Sequence, residues 1–169
     1  IIERLAAHYH ETADGLGLHK KPDVYGAFPV DPYSHTPKHT GVQQPGMTGQ
    51  VKEDLLSRWG ELGVQVTKGL ISFSPSMLSE NEFLTAPATF SYLTIGGRKE
   101  ELEIPEKSVV FTFCQVPVIY RAGNTDQVQL HYSDGKVQDQ NTFTLSQEAS
   151  NEIFRRSGKL SKIIVTFKA

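Results

Sequence analysis

Gln50–Ser74 reads QVKEDLLSRWGELGVQVTKGLISFS, and its hydrophobic period changes halfway along. Val51, Leu55, Trp59 and Leu62 recur three and four apart, the spacing of one helical face. Asp54 and Arg58 form an i,i+4 pair of opposite charge on another face. Thr48 is suited to cap the free amides of the first turn, and Gly63 to stop the last. Beyond Gly63 the period falls to two. Val64 and Val66 alternate with polar neighbours, and Lys68-Gly69 turns the chain into LISFS. A helix that hands over directly to strands predicts an α+β chain, with helices before residue 63 and sheet after it.

Working outward, Ile2, Leu5, Ala6, Tyr9 and Ala13 mark a second amphipathic helix, ended by Gly15 and Gly17. The segment from Leu16 to Thr48 holds no sustained period, but its Tyr25, Phe28 and Tyr33 favour an ordered loop over disorder. On the other side, strands are predicted at Phe90–Ile95, Glu100–Ile104, Val109–Gln115, Val118–Arg121, Gln127–Ser133, Val137–Thr144 and Lys159–Lys168. Gly96-Gly97 and Asp134-Gly135 are hairpin turns. Val109–Cys114 is apolar on both faces and is expected to be a central strand. Leu102 and Ile104 alternate with Glu101 and Glu103, which predicts one wet face. Ser146 opens a short helix that runs through Arg156 and stops at Gly158. The fold class expected is α+β, mainly β: two helices with a long loop over 1–63, and an antiparallel β-sandwich over 64–169. The two parts are expected to pack together.

The chain has 169 residues and a net charge of -2. That length buries roughly 70% of the unfolded surface, so neither a disulfide nor a metal is needed to fold. The charge balance offers no footprint for nucleic acid or an anionic membrane. No apolar run is long enough to span a bilayer. Cys114, the single cysteine, lies in an apolar run and reads as a small buried hydrophobe. The opening Ile1-Ile2-Glu3-Arg4 reads as the inside of a helix, so the expectation is a piece of a longer protein.

The loop DPYSHTPKHTGVQQPGMTGQVKED concentrates Asp31, Tyr33, His35, His39, Gln43 and Gln44. Amides and a carboxylate can take paired hydrogen bonds from sugar hydroxyls, and an aromatic ring can stack on the C–H face of a pyranose. Gly46 and Gly49 permit close backbone approach. The competing reading is turn architecture alone. His35 and His39 have helical metal-ligand spacing, but Pro37 between them opposes a helical turn, and no metal or other cofactor is expected. His8 and His10 flank Tyr9 as exposed or interfacial polar residues. Asp31 and Glu53 are the only carboxylates near the loop. Each has a structural role available, as a turn initiator and as a first-turn residue on the helix dipole, so no catalytic residue is assigned.

The run PGMTG, the helix VKEDLLSRWGELGV and the following VQVTKGLISFSPSML resemble the C-terminal region of six-hairpin glycoside hydrolases and related phosphorylases. Gly69–Pro75 supplies the G-L-x-F-x-P stretch of that resemblance, which covers roughly residues 1–80. It implies that the two helices close an (α/α)6 toroid whose other helices lie outside this chain, and that the sandwich buttresses it. The Asp31–Gln50 loop would then line a sugar cleft. The acid and base of such enzymes lie on other hairpins, so the chain alone is expected to be inactive. Carbohydrate and the missing part of the parent chain are the implied partners. A homodimer of the isolated piece could cover the exposed apolar stripes. A bacterial origin, with a periplasmic or secreted location, is the expectation. Two other readings stay open: a non-catalytic carbohydrate-binding module using Tyr92, Tyr120 or Tyr132, and a structural or interaction domain without a ligand.

Overall fold

The computed structural model describes residues 2–16 and 48–168, with side-chain detail for 2–11 and 55–168. The chain divides into two compact units, 1–60 and 61–169, and each is described by itself. The first contains helix α1 (Ile2–Leu16) and helix α2 (Thr48–Glu61). On α1, Ile2 and Leu5 are exposed, as are Leu55, Leu56 and Trp59 on α2. The apolar stripes are therefore wet at Ile2, Leu5, Leu55 and Trp59, while Ala6 and Tyr9 are half-buried and Leu62 enters the core of the second unit. His8 lies 3.9 Å from Glu11 one turn on, and the Tyr9 and His10 rings meet edge to face. No helix among the described residues is long and apolar enough to cross a membrane.

The second unit is mainly β. Strands β1 (Val64–Thr67) and β2 (Leu70–Phe73) form an antiparallel hairpin. Its turn uses positive φ at both Lys68 and Gly69, the primed geometry that matches strand twist. Strands β3 (Ala88–Leu93) and β4 (Lys99–Ile104) form a second hairpin around Gly97. Five strands make the main sheet: β5 (Ser108–Phe113), β6 (Val116–Gly123), β7 (Gln127–Tyr132), β8 (Val137–Gln140) and β9 (Leu160–Lys168), in the order β5-β6-β9-β7-β8. The sequence-based expectation of purely antiparallel strands meets one exception, since β6 and β9 run parallel. The connection between them contains β7, β8 and helix α3 (Gln147–Phe154). A long crossover of this kind is what a parallel pair requires.

Side-chain alternation splits the core between the two faces of the main sheet. On one face Val118, Tyr120, Val128, Leu130, Ile163 and Val165 pack with Ile71 and Phe73 of β2 and with Ala149 and Ile153 of α3. On the other, Ile119 and Ile164 pack with Ile104, Leu102 and Phe90 of the β3–β4 hairpin. Two buried hydrogen bonds tie the elements together. Tyr120 donates its hydroxyl to the Leu62 carbonyl at 2.6 Å. The Ile71 amide donates to Ser150 Oγ at 3.1 Å. Ser146 caps α3 by accepting from the Ala149 amide, and Gly158 follows at positive φ.

Two expectations are corrected. β5 is not central; it stands at the edge of the sheet, paired only with β6. Its apolar character on both faces comes from cover, because Val109 and Phe113 enter the larger core while Val110 packs in the smaller one. Cys114 is half-buried, not enclosed, and sits with Gln115 at positive φ in a two-residue turn between β5 and β6.

Candidate functional site

The residues singled out for sugar recognition, Asp31, Tyr33, His35, His39, Gln43 and Gln44, lie outside the described residues, as does the side chain of Glu53. The strand tyrosines are described, and they differ. Tyr120 is fully buried, with Phe73, Phe111 and Phe167 edge-on around its ring. Burial pushes its phenol far above the ordinary value. It has no face to offer a ligand. Tyr92 stacks parallel on Phe90, two residues back along β3, and donates to Glu100 at 3.1 Å. Its phenol is raised by burial and then by Glu100. Tyr132 donates to Gln138 at 3.2 Å, and the Lys136 ammonium sits 5.7 Å from its ring centre. Its phenol is raised by burial and by Glu148, Glu152 and Asp134.

A cleft of about 280 Å³ opens beneath the β3–β4 hairpin, against β5. Leu84, Ala88, Phe90, Ile104 and Val110 make it largely apolar. Two of its polar lining groups have local structural tasks. Glu82 Oε1 accepts from the Ser79 amide at 2.9 Å, and the Ser108 hydroxyl donates to the Glu106 carbonyl.

The most chemically loaded surface is the other half of that sheet face. Strand register places Arg121 of β6 opposite Thr166 of β9, and Thr166 opposite Gln127 of β7. Two side chains further along, Lys162 of β9 stands opposite His131 of β7. All five share the face that carries Ile119 and Ile164, because each is an odd number of residues from a side chain of the larger core. Between these rows Gln129 donates to Asp139 Oδ1 at 3.0 Å. Arg121 Nε and His131 Nε2 are both closed off from water and have no hydrogen-bond partner among the described residues. His131 is held below the ordinary histidine value, chiefly by loss of solvation, then by the Lys162 and Arg121 cations, against an opposing pull from Asp139. The arrangement is a partly buried electropositive patch with two unused nitrogens.

Neither Arg121 nor His131 receives a role from the sequence analysis. The available signal was the alternation Gln127-x-Gln129-x-His131, polar on one face of a strand whose other face carries Val128 and Leu130. What could not be read was that the sheet order brings Arg121 and Lys162 onto the same face. Among the described residues no group of three or more His, Cys, Asp or Glu side chains is placed to hold a metal. No protein-family model matches the sequence, and no curated protein matches it.

Proposed function

We propose that the chain is a supporting segment of a carbohydrate-active, glycoside hydrolase-like protein, without turnover of its own. In this reading the β-rich unit is a rigid buttress. Helices α1 and α2 present apolar faces to further helices, and the Asp31–Gln50 loop contributes amide and aromatic groups to a sugar cleft. The observation that carries it is the exposure of Leu55, Leu56 and Trp59 on α2, together with Ile2 and Leu5 on α1. Burying one such side chain contributes roughly 1.5–3 kcal/mol, and clustered exposed apolar groups mark a surface made for contact. The resemblance through PGMTG and the following helix and hairpin supplies the carbohydrate part of the reading.

The alternative of a self-sufficient glycan-binding module is weakened by the tyrosines. Tyr120 has no exposed face, and the rings of Tyr92 and Tyr132 already carry Phe90 and Lys136. The test combines calorimetric titration over a glycan panel with turnover assays on aryl glycosides and oligosaccharides, with and without phosphate. The reading expects weak glycan binding that is lost in a Gln43→Ala/Gln44→Ala variant and kept in Tyr132→Ala, with no turnover. Binding lost only in Tyr132→Ala or Tyr92→Ala would shift the assignment to the module. Turnover by the chain alone, or no glycan binding at all, would remove the proposal.

A further inference from the structure

We propose that the free edge of β5, with the apolar cleft beside it, is a docking site for an extended segment of another polypeptide, one that carries a large apolar residue flanked by lysine or arginine. The site goes beyond the carbohydrate reading and uses none of the loop residues of that reading. The argument begins with the backbone groups of β5 that are left over. In an antiparallel pair, residues bonded to the partner strand alternate with residues whose N–H and C=O point away from it. The Ala122 amide donates to the Lys107 carbonyl at 3.2 Å, and the Phe113–Val116 pair closes the two-residue turn. The register therefore gives the backbone groups of Val109, Phe111 and Phe113 to β6. Pro117, which has no N–H, accordingly stands opposite Thr112, outside that set. Ser108, Val110 and Thr112 turn their backbone groups outward, at the edge of the sheet.

The first outward rung is already filled by this chain. The Leu84 amide donates to the Ser108 carbonyl at 3.0 Å, and the Lys107 amide donates to the Leu84 carbonyl at 2.7 Å. Leu84 thus begins an added strand, and no backbone bond among the described residues continues it to Val110 or Thr112. Thr112 is exposed and Val110 half-buried, so these groups can be reached. Open edges of this kind accept a further strand. The cleft lies at the same place, for Leu84, Ser108 and Val110 line it together with Ala88 and Phe90 of β3. A residue paired opposite Val110 projects to the face that Val110 uses, where Leu84 and Phe90 also pack. Its side chain would enter the cleft of about 280 Å³, which suits a large apolar group. Charge sets the flanking residues. Glu82 lines the cleft, Glu103 accepts from the lining residue Thr89 at 2.8 Å, and Glu106 stands two residues before Ser108. Glu103 and Glu106 are exposed, and neither is in an ion pair among the described residues. Lys107 is the cation next to them in the chain. A second copy would set this acidic rim against itself, whereas a basic segment is drawn to it.

The experiment measures exchange of the Val110 and Thr112 backbone amides by NMR in the whole chain, with and without a hexapeptide that alternates leucine and threonine between terminal lysines. The comparison probes are the same peptide with terminal glutamates, the same peptide N-methylated at its leucines, and octanol as a small apolar molecule. Both amides should exchange freely in the chain alone and slow at least about tenfold at saturating lysine peptide, with no such slowing by the other probes. Thr112→Pro removes an outward N–H but no bond to β6, and proline is tolerated at a sheet edge. It should weaken the lysine peptide about fivefold, the scale of one hydrogen bond. Glu103→Gln with Glu106→Gln should weaken it too and flatten its salt dependence. The comparison of probes on the wild type needs no variant to fold. Amides already slow in the chain alone would mean an edge occupied from within, and slowing that grows with protein concentration would mean a second copy. Either result would overturn the proposal, as would no protection by the lysine peptide, equal binding of the N-methylated or glutamate peptide, or a response to octanol alone.

Discussion

Replacing Tyr120 by Phe removes one oxygen atom and should alter stability in opposite senses at neutral and alkaline pH. The hydroxyl donates to the Leu62 carbonyl at 2.6 Å inside the core. The ring sits edge-on to Phe73, Phe111 and Phe167, and phenylalanine keeps those contacts. The loss at pH 7 is then the hydrogen bond plus the cost of leaving a dry carbonyl, about 1–3 kcal/mol, or a melting temperature lower by roughly 3–8 °C. At high pH a second effect enters. Burial raises the folded phenol far above its ordinary value, while in the unfolded chain it titrates near 10. The raised group contributes fully below the unfolded value. Above it, the unfolded chain sheds a proton that the native chain keeps, and the wild type loses about 1.4 kcal/mol per pH unit. The Phe variant lacks this slope, whereas Tyr92 and Tyr132 remain in both proteins and cancel. Urea unfolding followed by far-ultraviolet circular dichroism at neutral pH and at several points above pH 10 measures the gap. It should be constant up to about pH 10 and then close, vanishing or reversing near pH 12. A gap that is absent at pH 7, or that stays constant into the alkaline range, would show that Tyr120 is neither bonded nor buried as described.

Gly63 has φ +64, and an added Cβ would overlap the Ser74 carbonyl oxygen, beside the Ser74 N–H to Gly63 carbonyl bond of 2.8 Å. Gly63→Ala should therefore cost more than about 3 kcal/mol, read as loss of the cooperative unfolding transition at room temperature or a large fall in its midpoint. Ser150→Ala strands the buried Ile71 amide and should lower stability by about 1–3 kcal/mol in the same urea assay. Leu55→Ser with Leu56→Glu should change the midpoint of the β-rich unit by less than about 0.5 kcal/mol while reducing self-association, measured by light scattering on size-exclusion chromatography.

Local chemistry carried much of the fold into view. Lys68-Gly69, Gly96-Gly97 and Asp134-Gly135 announce their turns because each needs left-handed backbone that Gly adopts without strain. The wet edge of β4 follows from Leu102 and Ile104 alternating with glutamates. The Cys114-Gln115 turn was invisible for the same reason inverted. Neither residue is a usual choice for positive φ, so the strand expected from Val109 was carried through both of them to Gln115, with the break placed two residues late. The edge position of β5 was hidden because a strand covered on both faces has the composition of a central one. Strand order is a long-range property, and the parallel pairing of β6 with β9 depends on contacts that no local pattern encodes. The polar face shared that limit, since its members come from three strands that are adjacent only in the folded sheet.

The two faces of the main sheet therefore ask different things of the same strands. The face toward α3 is apolar from Val118 across to Leu130 and is closed by β2 and the helix. The opposite face is apolar where the β3–β4 hairpin packs on it, at Val110, Ile119 and Ile164, and elsewhere mostly polar, with Val137 exposed beside His131. A sheet that served as support alone could place ordinary solvated side chains on the remainder, with their polar atoms in water. Arg121 Nε and His131 Nε2 instead lose water without gaining a partner, and Lys162 adds charge beside them. Burial of cations next to one another opposes folding unless something returns the lost interaction. Arg121→Gln should therefore hold or raise the melting temperature, and a clear fall would show that the Arg121 charge is compensated in solution.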